Sequence, residues 1–334
     1  MKKIWAAILV FIILPLALYG CQGNKRDIPG EHSPSNTNAT GGRDKPHPTV
    51  NKSIDAKDED IAKKYKDMAI ILDTVVDVFR EPDIASERVT QAIYNQPVVL
   101  LEKKEPWVRV RVVDGYTGWI REKYIDTECT SIMEENFRSR IVITGKTKKV
   151  STGIGGGITL KDVVMGTELY VVEKKDRYYN VALPGGISGW IESLDTIEVP
   201  VGGNIPKTSA EDFLDTLNKF TGTPYLWGGV SSWQGLDCSG LVYICARING
   251  VELPRDADQQ YESIEEERSP NNLKPGDLLF FSSGEDLADV SHVGVFVGED
   301  SFIHAGKSKG AVAMDSINSG SYRKKLKGVK RIFE

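Results

Sequence analysis

At 334 residues, with 40% hydrophobic and 27% charged side chains, the chain is long enough for two or three domains and has an ordinary globular composition. Its formal charge of −5 and the lack of a long basic patch weigh against a phosphate-backbone partner, so no nucleic-acid function is expected. Four cysteines and four histidines are few enough to be weighed one by one.

The N-terminus carries Lys2-Lys3, an apolar run from Ile4 to Tyr19, and then Gly20-Cys21. A basic start, an apolar core and a small residue before the cut describe a secretory signal, here residues 1–20. Leu18-Tyr19-Gly20-Cys21 resembles the lipobox of bacterial lipoproteins, with Cys21 as the lipid acceptor and Tyr19 bulkier than the usual residue at its position. The other reading is an uncleaved membrane helix, although the run is short of the ~20 residues that span a bilayer. Either way the rest of the chain is expected outside the cytoplasm, held at the cell membrane or cell wall. From Gln22 to about Lys52, Asn, Pro, Gly, Thr and Lys dominate and aliphatics are almost absent. Such a segment cannot bury enough apolar surface to offset its chain entropy and reads as a tether. Asp55 to Asp67 is charged and helix-compatible, so residues 21–64 are read as tether and short entry helix.

The middle of the chain repeats itself. Trp107-Val108-Arg109-Val110 followed by Gly118-Trp119-Ile120 returns as Tyr178-Tyr179-Asn180-Val181 followed by Gly189-Trp190-Ile191, at one constant offset. Short alternating runs such as Val108, Val110, Val112 and Leu169, Val171 are separated by turn clusters such as Asp114-Gly115 and Pro184-Gly185-Gly186. That is the pattern of small antiparallel barrels, one over 65–128 and one over 129–203. Trp119 and Trp190 are expected as core or groove-floor residues rather than ligands.

After Val201-Gly202-Gly203 the period changes. Thr208-Ser209-Ala210-Glu211 has the form of a capping box, and Phe213, Leu214, Leu217 and Phe220 recur at helical spacing. A loop, Pro224-Tyr225-Leu226-Trp227-Gly228-Gly229, separates this helix from a second that Cys238 opens, with Leu241, Val242, Cys245 and Ile248 as its buried stripe and Asn249-Gly250 as its stop. Strands are expected at Asp277–Phe281, His292–Val297, Phe302–Ala305 and Val329–Phe333. Helices first and an antiparallel sheet after make residues 204–334 an α+β domain.

With Cys21 assigned to lipid, Cys129, Cys238 and Cys245 remain, an odd number without a disulfide framework. On one helix, Cys238 and Cys245 stand about 10 Å apart along the axis, too far for a bridge. Cys129 and Cys245 read as small buried apolar residues. His32 and His47 lie in the tether, which leaves His292 and His304 downstream of Cys238 as bases for a thiol nucleophile. A thiol at the first turn of a helix feels the positive end of the dipole, which favours the thiolate. If Glu299-Asp300 forms a two-residue turn, however, His304 faces Val295 and period-two alternation sends His292 to the opposite face of the sheet; pairing the histidines then needs a bulge, an odd loop or a frayed strand start. No Cys and His spacing fits a zinc pattern, and no metal or cofactor is expected.

Tyr225-Leu226-Trp227-Gly228-Gly229, Asp237-Cys238-Ser239-Gly240-Leu241-Val242, Leu273-Lys274-Pro275-Gly276-Asp277-Leu278, His292-Val293-Gly294-Val295-Phe296-Val297 and Ile303-His304-Ala305, in this order, resemble the NlpC family of bacterial papain-like cysteine peptidases. The two repeats resemble bacterial Src-homology-3-type domains, whose final strand is preceded by Gly-Trp-Ile/Val. The resemblance implies a papain-like catalytic domain behind two small all-β barrels, with Cys238 as nucleophile, His292 as base, His304 orienting it, and the Cys238 amide with the Tyr225 hydroxyl at the oxyanion. It implies peptidoglycan-derived peptides as substrates, cut between the γ-carboxyl of D-glutamate and a diamino acid, either diaminopimelate or lysine. With two barrels ahead of the catalytic domain, the chain is most similar to γ-D-glutamyl-L-diamino acid endopeptidases, in which the first barrel closes one end of the groove and selects a free N-terminal L-alanine. The resemblance places Asp256 and Glu81 as carboxylates reading that ammonium, Tyr116 as a wall residue, and Asp237 and Ser239 against the D-glutamyl part. Trp227 and Arg255 complete the expected substrate residues. Two other readings compete: a hydrolase of intact wall with an open groove, and a non-catalytic wall-binding lipoprotein. Intact Cys238, His292 and His304 speak against the second.

Overall fold

A computed structural model describes residues 56–334. The signal segment, Cys21, the tether, His32 and His47 lie outside the described residues. The first described element is helix α1 (Ala56–Tyr65).

Two barrels follow. The first holds β1 (Met68–Ile71), β2 (Val75–Phe79), β3 (Arg88–Ile93), β4 (Pro97–Lys104), β5 (Trp107–Arg111), β6 (Thr117–Arg121) and β7 (Ile125–Asp126), in the spatial order β3-β2-β6-β5-β4-β1-β7. The second holds β8 (Ser139–Ile143), β9 (Thr147–Gly153), β10 (Gly156–Val164), β11 (Glu168–Lys175), β12 (Tyr178–Leu183), β13 (Ile187–Glu192) and β14 (Thr196–Pro200), in the order β10-β9-β13-β12-β11-β8-β14. Strand for strand the two topologies are the same. The sequence repeat has the same register, because Arg109 pairs with Trp119 and Asn180 with Trp190. Its glycines have a steric cause: a Cβ at Gly118 would lie 2.6 Å from the Phe79 carbonyl oxygen, and one at Gly189 would lie 2.6 Å from a Val150 methyl. Trp119 is buried and Trp190 half-buried.

The last domain begins with α2 (Ala210–Asn218). Its capping box is displaced by one residue from the expected one. Ser209 is the N-cap and exchanges hydrogen bonds with Asp212, while Thr208 turns its hydroxyl to Asn249. A two-stranded ribbon, β15 (Val230–Ser231) and β16 (Gly235–Leu236), leads into α3 (Cys238–Ile248), then α4 (Ala257–Ser263). The sheet comprises β17 (Leu278–Phe281), β18 (His292–Gly298), β19 (Ser301–Gly306), β20 (Ala311–Ser316) and, after the short helix α5 (Tyr322–Lys325), β21 (Leu326–Lys330), in the order β20-β19-β18-β17-β21. The closing strand thus ends at Lys330 instead of running to Phe333, whose ring packs on Phe213 of α2. Strand β20 and helix α4 were not expected: β20 buries only Val312, too little alternation to read from sequence.

Alternation sorts the sheet into two faces. Leu278, Phe280, Val293, Val295, Ile303 and Ala305 pack under α2 and α3 in the main core. Leu279, Phe281, Phe296 and Phe302 pack on the other face with Tyr322. Val75 and Ile93 of the first barrel and Val164 and Met165 of the second join the main core, so the barrels are packed into the last domain. Gly166 shows how closely: a Cβ there would stand 2.4 Å from Ile244 of α3.

Candidate active site

Cys238 is the first residue of α3, and Asp237 is its N-cap, accepting from the Gly240 amide at 2.7 Å. Among the described residues no acceptor takes the Cys238 N–H, as befits the first turn of a helix. Asp237 is buried and fully occupied. It takes both ends of the Arg255 guanidinium at 2.9 and 2.7 Å and the Gly228 amide at 2.9 Å. Arg255 also donates to the Ser239 hydroxyl. The expectation that Arg255 meets substrate is therefore corrected: at 1% exposure it is an internal clamp between α3 and the start of α4. Asp237 and Ser239 border the groove, but their polar atoms are engaged by Arg255.

His292 is the first residue of β18. The register conflict is resolved by a bulge. Gly298 faces Ser301 across the Glu299-Asp300 turn, but Phe296 faces Phe302 and Val295 faces Ile303, so Val297 is the extra residue. His304 thereby falls opposite Gly294, on the face that carries His292. Gly294 is small for this reason, since a Cβ there would be 2.5 Å from the Phe302 ring and 3.3 Å from His304.

His292 Nε2 and His304 Nδ1 are 2.7 Å apart, and His304 Nε2 lies 3.2 Å from Asp315 Oδ2 on β20. Asp315 also accepts from Lys309 at 2.9 Å and from the Tyr322 hydroxyl. Burial and the neighbouring His304 push the His292 ring down to about 3, and burial lowers His304 against the opposing pull of Asp315. Both rings are neutral at physiological pH, and two neutral rings fix the tautomers. A carboxylate only accepts, so His304 carries its proton on Nε2 and presents Nδ1 as acceptor. His292 must then donate from Nε2, which leaves the lone pair of its Nδ1 free to take a proton.

The backbone amides of Val293 and Ser239 lie near enough to the Cys238 sulfur to favour its anion, which places it beside the first residues of β18. No hydrogen bond joins it to His292 itself. Burial, reinforced by the Asp237 carboxylate, pushes the thiol up to about 12, and the two amides do not offset that. The helix terminus favours the expected thiolate, and desolvation opposes it. With the thiol pushed up and the imidazole pushed down, both shifts favour thiol and neutral imidazole over the ion pair. Tyr225 lies close enough to feel the Cys238 charge, and burial pushes its hydroxyl up to about 12, so it keeps its proton as a donor.

Cys238 opens onto a groove of about 310 Å³ shared with the first barrel. Its walls include Arg80, Glu87 and Tyr116 from the barrel, and Trp227, Asp256 and Asp258 from the catalytic domain. The Tyr116 hydroxyl donates to the Asp256 carboxylate across the domain boundary. Asp256 occupies the N-cap position of α4 without making a cap hydrogen bond, because its side chain turns to Tyr116 instead. Trp227 is 60% exposed, so it is not core; its indole N–H donates to Glu87. Glu81 does not line the groove. Its amide is tied to Ser86 in a turn, and Glu87, further along the same turn, supplies the carboxylate there. Asp315, Arg80 and Glu87 were missed; only the fold brings these residues to the site, and no local motif marks them.

Residues 222–331 match the NlpC/P60 family, and residues 78–125 match the bacterial dipeptidyl-peptidase Sh3 domain. A probable endopeptidase NlpC of Escherichia coli K12 is 38% identical over 119 residues, which are 35% of this chain and 75% of that protein. This chain belongs to the NlpC/P60 family. Like other NlpC/P60 cysteine peptidases, it is a hydrolase. Similarity extends across the barrels: a γ-D-glutamyl-L-lysine dipeptidyl-peptidase of Bacillus cereus is 28% identical over 258 residues, covering 74% of this chain and 76% of that one. A relative of the same description from Bacillus subtilis is 28% identical over 254 residues, 73% and 81% of the two chains. The crystal structure of an NlpC/P60 family protein from Bacillus cereus shares the fold, with a TM-score of 0.73 at 24% identity, over 80% of this chain and 100% of the other.

Proposed function

We propose that this NlpC/P60 peptidase hydrolyses the amide between the γ-carboxyl of D-glutamate and a diamino acid in cell-wall stem peptides, taking released fragments that begin with a free L-alanine. The observation that carries this reading is the Tyr116–Asp256 contact, which ties the first barrel to the catalytic domain at the wall of the Cys238 groove and on this reading closes one end of it. A groove closed on that side accepts a chain end and refuses a polymer, and Asp256, Asp258 and Glu87 supply the carboxylates an α-ammonium needs. The open-groove reading has no such support.

In the reaction, Cys238 Sγ attacks the γ-carbonyl carbon while His292 Nδ1 takes the thiol proton. The Cys238 N–H and the Tyr225 hydroxyl donate to the developing oxyanion. The new imidazolium is stabilised through His304 by Asp315, then returns its proton to the departing amine. Water hydrolyses the thioester by the same route in reverse. The lipid on Cys21 and the tether behind it would hold this chemistry at the outer face of the membrane, where wall fragments are released.

The test is hydrolysis of L-Ala-γ-D-Glu-diaminopimelate with and without an acetyl group on the alanine nitrogen. Cleavage of the free peptide and its loss on acetylation are expected; equal cleavage of both would rule out the closed, ammonium-reading end.

A further inference from the structure

On the other side of the catalytic pair lies a second hollow of about 550 Å³. It is lined by His292 and His304 and shares Ser291 with the Cys238 groove, so the two hollows adjoin just before β18, and we treat them as the two halves of the substrate cleft. If the acyl half holds L-Ala-γ-D-Glu, as proposed above, this half receives the departing diamino acid. The two halves differ in charge. Carboxylates line the acyl half beside the paired Arg80, whereas the leaving-group half has Lys307 and Lys325 among serine hydroxyls and no carboxylate in its lining.

Lys307 is exposed and, among the described residues, has no ion-pair partner. Lys325 is half-buried and reaches only the Ser283 carbonyl, at 2.6 Å. Acidic groups on the surrounding segments are engaged elsewhere: Asp315 by Lys309 and His304, Glu285 by Lys324, Asp286 by the Ala288 amide and Asp289 by the Ser283 amide. A lysine leaving group would bring a third ammonium into this hollow and meet no counter-charge. A diamino acid whose side chain ends in its own carboxylate would meet two cations and several hydroxyl donors.

We infer that this half of the cleft is a carboxylate-binding subsite, with Lys307 and Lys325 selecting a diaminopimelate-type side chain over lysine. The inference rests on the γ-glutamyl reading and names the residues that decide the position after D-glutamate.

The experiment measures kcat/KM of the full chain on three tripeptides: L-Ala-γ-D-Glu-diaminopimelate, the same peptide with its side-chain carboxylate amidated, and L-Ala-γ-D-Glu-L-Lys. L-Ala-γ-D-Glu-7-amido-4-methylcoumarin, whose leaving group carries no carboxylate, serves as reference. The free carboxylate should be preferred over both other peptides by about fivefold or more, equivalent to ~1 kcal/mol. Lys307→Ala should bring the ratios toward one, and Lys307→Glu should reverse the preference in favour of lysine. Lys325→Ala is the second variant, but it also frees the Ser283 carbonyl, so the exposed Lys307 is the cleaner probe. Equal rates on the three tripeptides with the coumaride still cut, or ratios unchanged by Lys307→Glu, would overturn the subsite and leave the γ-glutamyl reading standing. A coumaride and tripeptides that all resist cleavage would overturn both.

Discussion

Replacing Asp315 by Asn should cost more activity than replacing it by Ala. In Asp315→Ala the proton chain loses its charged end. The two imidazole centres are 4.9 Å apart and the carboxylate lies 3.2 Å beyond His304 Nε2. That places the negative charge roughly 8 Å from the His292 ring, worth ~2 kcal/mol of imidazolium stabilisation at an effective dielectric of about 20. Lys309, paired to the same carboxylate at 2.9 Å, offsets part of this. A loss of about 1–2 kcal/mol lowers kcat about five- to thirtyfold. Asp315→Asn adds a second fault. Lys309 can only donate, so it holds the amide oxygen on its own side and turns the NH2 toward His304 Nε2. His304 must then accept on Nε2 and donate from Nδ1, which forces the His292 proton onto Nδ1 and blocks the atom that should receive the thiol proton. A carboxamide in this role in a catalytic triad costs up to about ten-thousandfold through the wrong tautomer. The assay is turnover of L-Ala-γ-D-Glu-7-amido-4-methylcoumarin from pH 5 to 9 for Asp315→Asn, Asp315→Ala and Asp315→Asn with Lys309→Met. The expected order is Asn slowest, with Lys309→Met recovering part of its activity by releasing the amide to flip. An Asn variant as active as the Ala variant, or no recovery in the double variant, would refute the tautomer argument.

Alkylation of Cys238 by iodoacetamide should keep accelerating with pH, because burial has pushed the thiol up to about 12 and the reactive thiolate fraction grows about tenfold per pH unit below that value. Inactivation rates between pH 5 and 9 measure this, and a plateau below pH 8 would instead report a preformed thiolate–imidazolium pair. Arg255→Met should destabilise the fold by about 3–5 kcal/mol in urea unfolding, since it strands the buried Asp237 carboxylate without its partner. A change under about 1 kcal/mol would mean that Asp237 is satisfied by its amide donors alone.

Cys238 and its helix were legible because the chemistry and the fold share one short run: the N-cap, the nucleophile and the buried stripe occupy consecutive residues. The barrels were legible through their repeat, whose glycines answer to a strand-crossing contact that recurs with the topology. What stayed hidden depends on distance in sequence. The bulge at Val297 decides whether His292 and His304 share a face, yet Val297 looks like any strand residue. Asp315 sits on a strand with a single buried aliphatic, so its row beside His304 has no periodic signature. Arg255 and Asp256 are adjacent in sequence and expected in one role, but one points inward to Asp237 and the other outward to Tyr116. Composition cannot distinguish two neighbours that face opposite ways at the start of a helix. The same limit misassigned the barrel carboxylate, which depends on how the Arg80–Glu87 turn folds: its Arg80–Glu87 ion pair brings Glu87 to the groove instead of Glu81.

The first barrel is tied to the nucleophile as well as to the substrate end of the groove. Arg88 of β3 donates to the Trp227 carbonyl at 3.0 Å, and its own carbonyl lies so near Gly228 that a Cβ there would stand 2.8 Å from it. Gln91 of the same strand accepts from the Val230 amide at 3.1 Å and donates to Gln234 at 2.6 Å. Between those contacts runs the loop whose Gly228 amide is held by Asp237, and Asp237 caps the helix that Cys238 opens. The strand that follows Glu87 and brings Val89 to the groove therefore also fixes the loop against which the catalytic helix is capped. A change of barrel that widened the groove to admit a polymer would have to loosen Gly228, then Asp237, then the Cys238 amide offered to the oxyanion. On the proposed reading, selectivity for a chain end and positioning of the nucleophile become one mechanical arrangement, carried by a barrel that is packed into the main core.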